Sequence, residues 1–171
     1  MRLLLLCMAA VLGTQSASTA PVETPHLAIT VVPVASAAAA GARLDLVLEV
    51  APKPRMHVYS PQQKDYIPIA LTLQPAAAFS IQPAVYPKPE KYVFAPLKET
   101  QLVYSKPFRI TQPVTIARAP ALRAAGLLPG APLTISGKLR YQACDDAICY
   151  MPKEVPVSWR ITLGAVSTKE D

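Results

Sequence analysis

The chain has 171 residues, with 17 Lys and Arg against 11 Asp and Glu, a formal charge of +6, and 19 prolines. Prolines spread this evenly exclude a helical protein, because each one inside a helix removes a backbone hydrogen bond and clashes with the preceding turn. The basic residues, Lys53, Arg55, Lys88, Lys91, Lys106, Arg109, Lys138 and Arg140 among them, never form a run, which argues against a nucleic-acid footprint.

The N-terminus carries one basic residue, Arg2, then an apolar run from Leu3 to Leu12, then small residues ending Ser18-Thr19-Ala20. This is the layout of a secretory signal peptide, and the apolar run is too short to span a bilayer as a helix. Residues 1–20 are therefore expected to be removed on export, Cys7 with them. The mature domain is expected over residues 21–165, followed by a polar tail at 166–171. No later window has the length and freedom from charge of a membrane span. Such a product is a single monomeric domain with a core of its own, in a compartment, the periplasm, where disulfides persist.

Along the chain the dominant signal is alternation with period two. Leu44, Leu46, Leu48 and Val50 alternate with Arg43, Asp45, Val47 and Glu49; Ile67, Ile69, Leu71 and Leu73 follow in the same way. Leu133, Ile135, Leu139, Tyr141 and Ala143 share one face, and so do Val155, Val157, Trp159, Ile161 and Leu163. Shorter apolar segments at 26–34, 57–59, 79–86, 101–104 and 108–116 bring the expected total to eight or nine strands. Strands at this spacing with Pro-rich connections predict an all-β, immunoglobulin-like antiparallel β-sandwich. Residues 119–131 are the one place for a short helix, but Pro120, Gly126, Pro129 and Gly130 favour a surface loop. The core is expected to contain Leu46, Leu48, Ile69, Leu71, Ile135, Leu139, Val157, Trp159 and Ile161.

Chemistry concentrates in Tyr141-Gln-Ala-Cys144-Asp-Asp-Ala-Ile-Cys149-Tyr-Met-Pro152, which holds both cysteines of the expected mature chain. Strands on either side place the two cysteines across one hairpin, within the roughly 7 Å Cα separation that a disulfide allows. A bridge closing so short a loop contributes only about 2 kcal/mol in the chain-entropy model. A sandwich staple would instead join the two sheets over a long sequence separation. Strained or exposed local bridges are the reducible ones. The residues alone leave a redox pair and a structural staple both open. Asp145 and Asp146 place negative charge next to Cys144 and disfavour its thiolate, although two aspartates also build an ordinary solvated turn.

The stretch 141–157, with Tyr-Gln-Ala-Cys, an acidic turn, a second cysteine and an exit through Pro152, Glu154 and Pro156, resembles the N-terminal periplasmic domain of the thiol:disulfide interchange protein DsbD. The likeness continues through His57-Val-Tyr59 and Gln101-Leu-Val-Tyr104-Ser-Lys-Pro-Phe108. It implies an immunoglobulin-like fold and a cysteine pair that takes electrons from a membrane-embedded or thioredoxin-like donor and passes them to oxidised exported proteins. It implies that Cys149 attacks the partner's disulfide and that Cys144 resolves the mixed disulfide. It also implies a shielding loop, here residues 89–100, with Tyr92 or Phe94 supplying an aromatic ring. This chain has four residues between its cysteines, one fewer than the best-known member, and it ends at Asp171 without the membrane and thioredoxin-like domains that follow in DsbD. Electron supply is therefore expected from a separate protein.

Other chemistry finds less to stand on. His26 and His57 with both cysteines reach a zinc ligand count, but the spacings fit no zinc pattern; Met56 and Met151 offer soft donors but read as ordinary methionines. No glycine-rich phosphate loop or Ser/His/Asp motif is present, so neither metal nor cofactor is expected. Tyr59, Tyr86, Tyr92 and Tyr104 are candidates to line a partner groove, with Asp145 and Asp146 beside it. The competing reading of the whole chain is a non-catalytic immunoglobulin-like binding or chaperone domain with a structural hairpin bridge.

Overall fold

Where the alternation is longest the chain forms long strands, because one face of each must be withdrawn from water. The computed structural model describes residues 20–34, 37–94 and 98–164; the expected signal segment apart from Ala20, and the polar tail, lie outside the described residues. The strands are β1 (Val22–Glu23), β2 (Leu27–Val32), β3 (Ala37–Ala38), β4 (Arg43–Pro52), β5 (His57–Tyr59), β6 (Ala70–Leu73), β7 (Phe79–Ile81), β8 (Glu90–Phe94), β9 (Glu99–Tyr104), β10 (Phe108–Ile116), β11 (Pro132–Tyr141), β12 (Ala143–Cys144) and β13 (Lys153–Leu163), with one helix, α1 (Ala119–Ala124).

Two sheets, ordered β1-β2-β4-β10-β7 and β3-β13-β11-β6, share the main core. The fold is the expected immunoglobulin-like sandwich. All nine residues expected in the core are buried, Ile135, Leu46, Leu48, Ile69 and Leu139 completely. Trp159 on β13 ties the sheets together: its indole Nε1–H donates to the Val47 carbonyl of β4 at 3.3 Å. Gly137 on β11 lets β6 approach closely, since a Cβ there would lie 2.6 Å from the Thr72 carbonyl oxygen.

Three features differ from expectation. The described residues contain thirteen strands rather than eight or nine, because β1, β3 and β12 have only two residues each and β8 fills part of the expected loop at 89–100. One pairing is parallel, β3 against β13 through Thr162↔Ala37 and Leu163↔Ala38. Part of 119–131 is helical: Pro120 falls in the first turn, where its missing N–H costs nothing. Gly126, with φ of 73°, closes the helix by donating to Arg123 O while Leu127 N–H donates to Leu122 O, and Leu122 is buried. Two of the four residues read as breakers, Pro120 and Gly126, are the helix's start and stop signals.

A third sheet, β12-β5-β9-β8, stands on this sandwich and has two unequal faces. Val58 and Tyr104 face the main core, while Tyr59, Val103 and Cys144 form a separate buried cluster with Tyr66 and Tyr92 packed on it. That second face carries the chemistry.

Candidate active site

Antiparallel register dictates which side chains meet. His57 pairs with Cys144, Tyr59 with Val103, Tyr92 with Gln101 and Phe94 with Glu99. Side chains opposite one another lie on one face, so a single surface gathers Phe94, Tyr92, Gln101, Tyr59, His57 and Cys144. Within the expected shielding loop, Glu90–Phe94 is thus a strand paired with β9, and its aromatic residues are placed by strand pleat.

β12 leads into a tight turn that brings Cys149 back opposite Cys144. Asp145 N–H donates to Ile148 O and Tyr150 N–H to Ala143 O, so the cysteines occupy a pair between two hydrogen-bonded rungs, where side chains stand closest. Their Cα atoms are 4.0 Å apart and their sulfurs form a disulfide. The two cysteines differ sharply in access: Cys144 is buried, 1% exposed, and Cys149 is exposed. The bridge spans one local hairpin and does not join the two main sheets.

The turn is held by Asp145. Its Oδ1 accepts the amides of Ala147 and Ile148, each at 2.8 Å, and its Oδ2 accepts the Tyr150 hydroxyl at 2.8 Å. These donors, the two amides foremost, hold its carboxyl down to about 2, so it is ionised at any physiological pH. Asp146 accepts the Tyr92 hydroxyl at 2.9 Å and lies 3.7 Å from Arg55. Tyr59 points its hydroxyl at Cys149 Sγ, 3.5 Å away; a disulfide sulfur has no proton, so the phenol donates. Burial first, then the neighbouring Tyr66, Glu99 and Tyr92, pushes the Tyr59 phenol up to about 12, which keeps that donor protonated.

Beside the disulfide lies a cleft of about 190 Å³, lined by Tyr59, Tyr66, Phe94, Ile148 and both cysteines among others. Of the residues singled out from the sequence, the fold therefore brings together Cys144, Cys149, Tyr59, Tyr92, Phe94, Asp145 and Asp146. Tyr104 is a correction: it is 3% exposed, stacks on Phe108 at 4.2 Å and donates its hydroxyl to Pro87 O, so it is core and lines no groove. Its register opposite Val58 turns it to the other face. Tyr86 likewise serves structure, its hydroxyl accepting Leu71 N–H.

Sequence reasoning missed Tyr66, which stacks on Tyr59 at 4.4 Å and donates to Glu99 Oε2 at 2.6 Å, and Tyr150, whose ring packs tilted against His26 with centroids 4.4 Å apart. Tyr66 sits in an irregular segment and left no periodic signal. It also gave His57 no place in the site, although its spacing of two from Tyr59 puts both on one face. Both histidines are buried with one ring nitrogen lacking a hydrogen-bond partner, Nδ1 of His26 and Nε2 of His57. Among the described residues no group of three or more His, Cys, Asp and Glu is placed to hold a metal ion, and no helix is long and apolar enough to cross a membrane.

Comparison with known proteins adds four findings. The solved N-terminal periplasmic domain of ScsB from Proteus mirabilis is similar in fold, with a TM-score of 0.54 at 13% identity over 84% of this chain and 51% of that one. This chain thus spans about half of that structure's length. The reduced N-terminal domain of DsbD from Neisseria meningitidis matches with a TM-score of 0.44 at 17% identity, over 79% of this chain and 86% of that one. No curated protein matches the sequence. The family model described as thiol:disulfide interchange protein DsbD, N-terminal, matches residues 28–158, and the chain belongs to that family of thiol-disulfide exchange domains.

Proposed function

We propose that the protein is a periplasmic electron relay that cycles its Cys144–Cys149 pair between disulfide and dithiol. A thiolate from a thioredoxin-fold or membrane-embedded donor attacks Cys149 Sγ. The Cys144–Cys149 bond breaks, and Cys144 leaves with the electron pair and takes up a proton. The donor's second thiol then closes its own disulfide and releases a reduced domain. In the onward step the Cys149 thiolate attacks an oxidised exported protein, and Cys144 resolves the mixed disulfide, so two electrons pass to the acceptor.

The observation that carries this reading is the unequal access of the two sulfurs, Cys149 open to a partner and Cys144 buried beneath it. The ionised Asp145 beside Cys144 also disfavours a thiolate there. Tyr92 and Phe94 act in this account as a cover over the buried side of the pair, and the cleft receives the partner's side chain.

Trapping tests it. Cys144→Ser should accumulate covalent adducts with thioredoxin-fold proteins on non-reducing gels of exported extracts, and Cys149→Ser should accumulate few. Adducts from neither variant would make the bridge a staple of the last hairpin.

A further inference from the structure

The relay step has an unassigned proton. Cys144 is the sulfur that must leave as a thiolate and later attack as one, in a buried place flanked by Asp145 and Asp146. Resting on the relay reading above, the geometry points to His57 as the group that takes the proton from Cys144 when it attacks and, after taking one up from the donor thiol or from water, delivers it when Cys144 leaves.

Four observations carry this assignment. His57 is the register partner of Cys144 on the adjacent strand, and directly opposed residues have Cβ atoms about 4.5–5.5 Å apart on the same face. Both residues line the one cleft beside the disulfide. His57 is 4% exposed, yet its Nε2 has no hydrogen-bond partner. Such orphaned buried atoms are rare in native proteins and call for a reason. Finally, the ring is fenced in by Tyr92, with centroids 4.7 Å apart, and by the edge of Tyr59 at 5.9 Å.

The groups facing the imidazole are Tyr59 on its own strand, Tyr92 on β8, Cys144 on β12, and Asp145 and Asp146 on the turn, with Arg55 paired to Asp146. Burial lowers the imidazole's affinity for a proton and the two carboxylates oppose that loss. With the disulfide closed His57 is therefore neutral. A Cys144 thiolate adds negative charge nearby and favours the imidazolium. In the resolving step the Cys144 S–H proton passes to His57, the freed sulfur attacks Cys149 Sγ, and the Cys149–partner bond breaks with its electron pair leaving on the partner sulfur. Domain dithiol becomes disulfide, partner disulfide becomes dithiol, and the imidazolium releases its proton to the partner or to water.

Ellman's reagent reads this step directly. Reduced protein should release one thionitrobenzoate as Cys149 attacks and a second as Cys144 displaces the first adduct. In the wild type the second phase should rise with pH below the ordinary thiol range, which centres near about 8.5. His57→Gln should slow that phase about tenfold or more at pH 7 and move its midpoint up toward the thiol range. Its first phase should change less than about twofold, and its melting temperature should match the wild type. A second phase with the same rate and midpoint in His57→Gln overturns the assignment. If that variant does not fold, the His57 Cε1–H resonance of the wild type decides. In the reduced protein it should carry a second step at the Cys144 titration, and one step identical in both redox states overturns the role. Partner adducts alongside an unchanged second phase would remove His57 alone; a His57-dependent second phase with no partner adducts would remove the relay reading alone.

Discussion

Gly137→Ala puts the packing of the two sheets to a quantitative test. The new Cβ would sit 2.6 Å from Thr72 O, 2.8 Å from Leu73 Cδ2 and 3.2 Å from Leu73 Cα. The leucine methyl can turn aside, but the Thr72 carbonyl belongs to the backbone of β6, which is bonded to β11 along Gly137–Arg140 and by Gln74 N–H to Ser136 O. Overpacking of this kind costs about 1–3 kcal/mol. Replacing a strand glycine returns about 0.5–1 kcal/mol through the unfolded chain. The net loss is about 0–2.5 kcal/mol, centred on about 1 kcal/mol, or a fall of about 0.5 M in the urea midpoint at a slope near 2 kcal/mol/M. Gly164→Ala is the internal control, because its Cβ would meet Ala38 at an ordinary 3.6 Å. It should shift stability by less than about 0.5 kcal/mol. Urea melts followed by Trp159 fluorescence measure both. A Gly137→Ala midpoint equal to or above the wild type would show that the edge strand yields freely, and the close approach argued here would be wrong.

Truncating Ile135 or Leu71 to Ala should each cost about 2–5 kcal/mol in the same melts, with Ile135, fully buried, toward the upper end. Acid should act first at the turn. Asp145 is held down to about 2 against an ordinary 3.8, so its contribution to stability is complete above the ordinary value and lost as pH falls toward 2. The amide resonances of Ala147 and Ile148 should titrate with a midpoint near that lower value; a midpoint near 3.8 would mean that the two amide bonds are absent in solution.

The fold was legible because burial of one face fixes strand register. Val155 to Leu163 and Leu133 to Ala143 could be placed face by face from alternation alone. Legibility failed where burial is partial or where punctuation has two meanings. Glu90–Phe94 mixes charges with half-buried aromatics and lacks a clean alternation, so β8 passed for loop. Pro120 and Gly126 interrupt a helix in its middle and frame one at its ends, and only position separates the two cases. The cysteine hairpin was readable from its own residues, but its surroundings were not. Whether Tyr59 and Tyr104 share a face depends on how β5 pairs with β9. Nothing within either strand specifies that register. The same gap hid His57, whose importance lies entirely in standing opposite Cys144.

The central claim is that the hairpin bridge is a working redox couple, and its equilibrium with glutathione measures that most directly. Oxidised protein is incubated across a series of reduced-to-oxidised glutathione ratios, quenched with a thiol-blocking reagent of large mass, and the closed and open forms are separated by gel mobility. The account predicts a full transition within the buffer's range, at a potential more oxidising than about −300 mV. A bridge still closed at the most reducing ratio, with a potential below that value, would contradict it and assign the Cys144–Cys149 bond to structure.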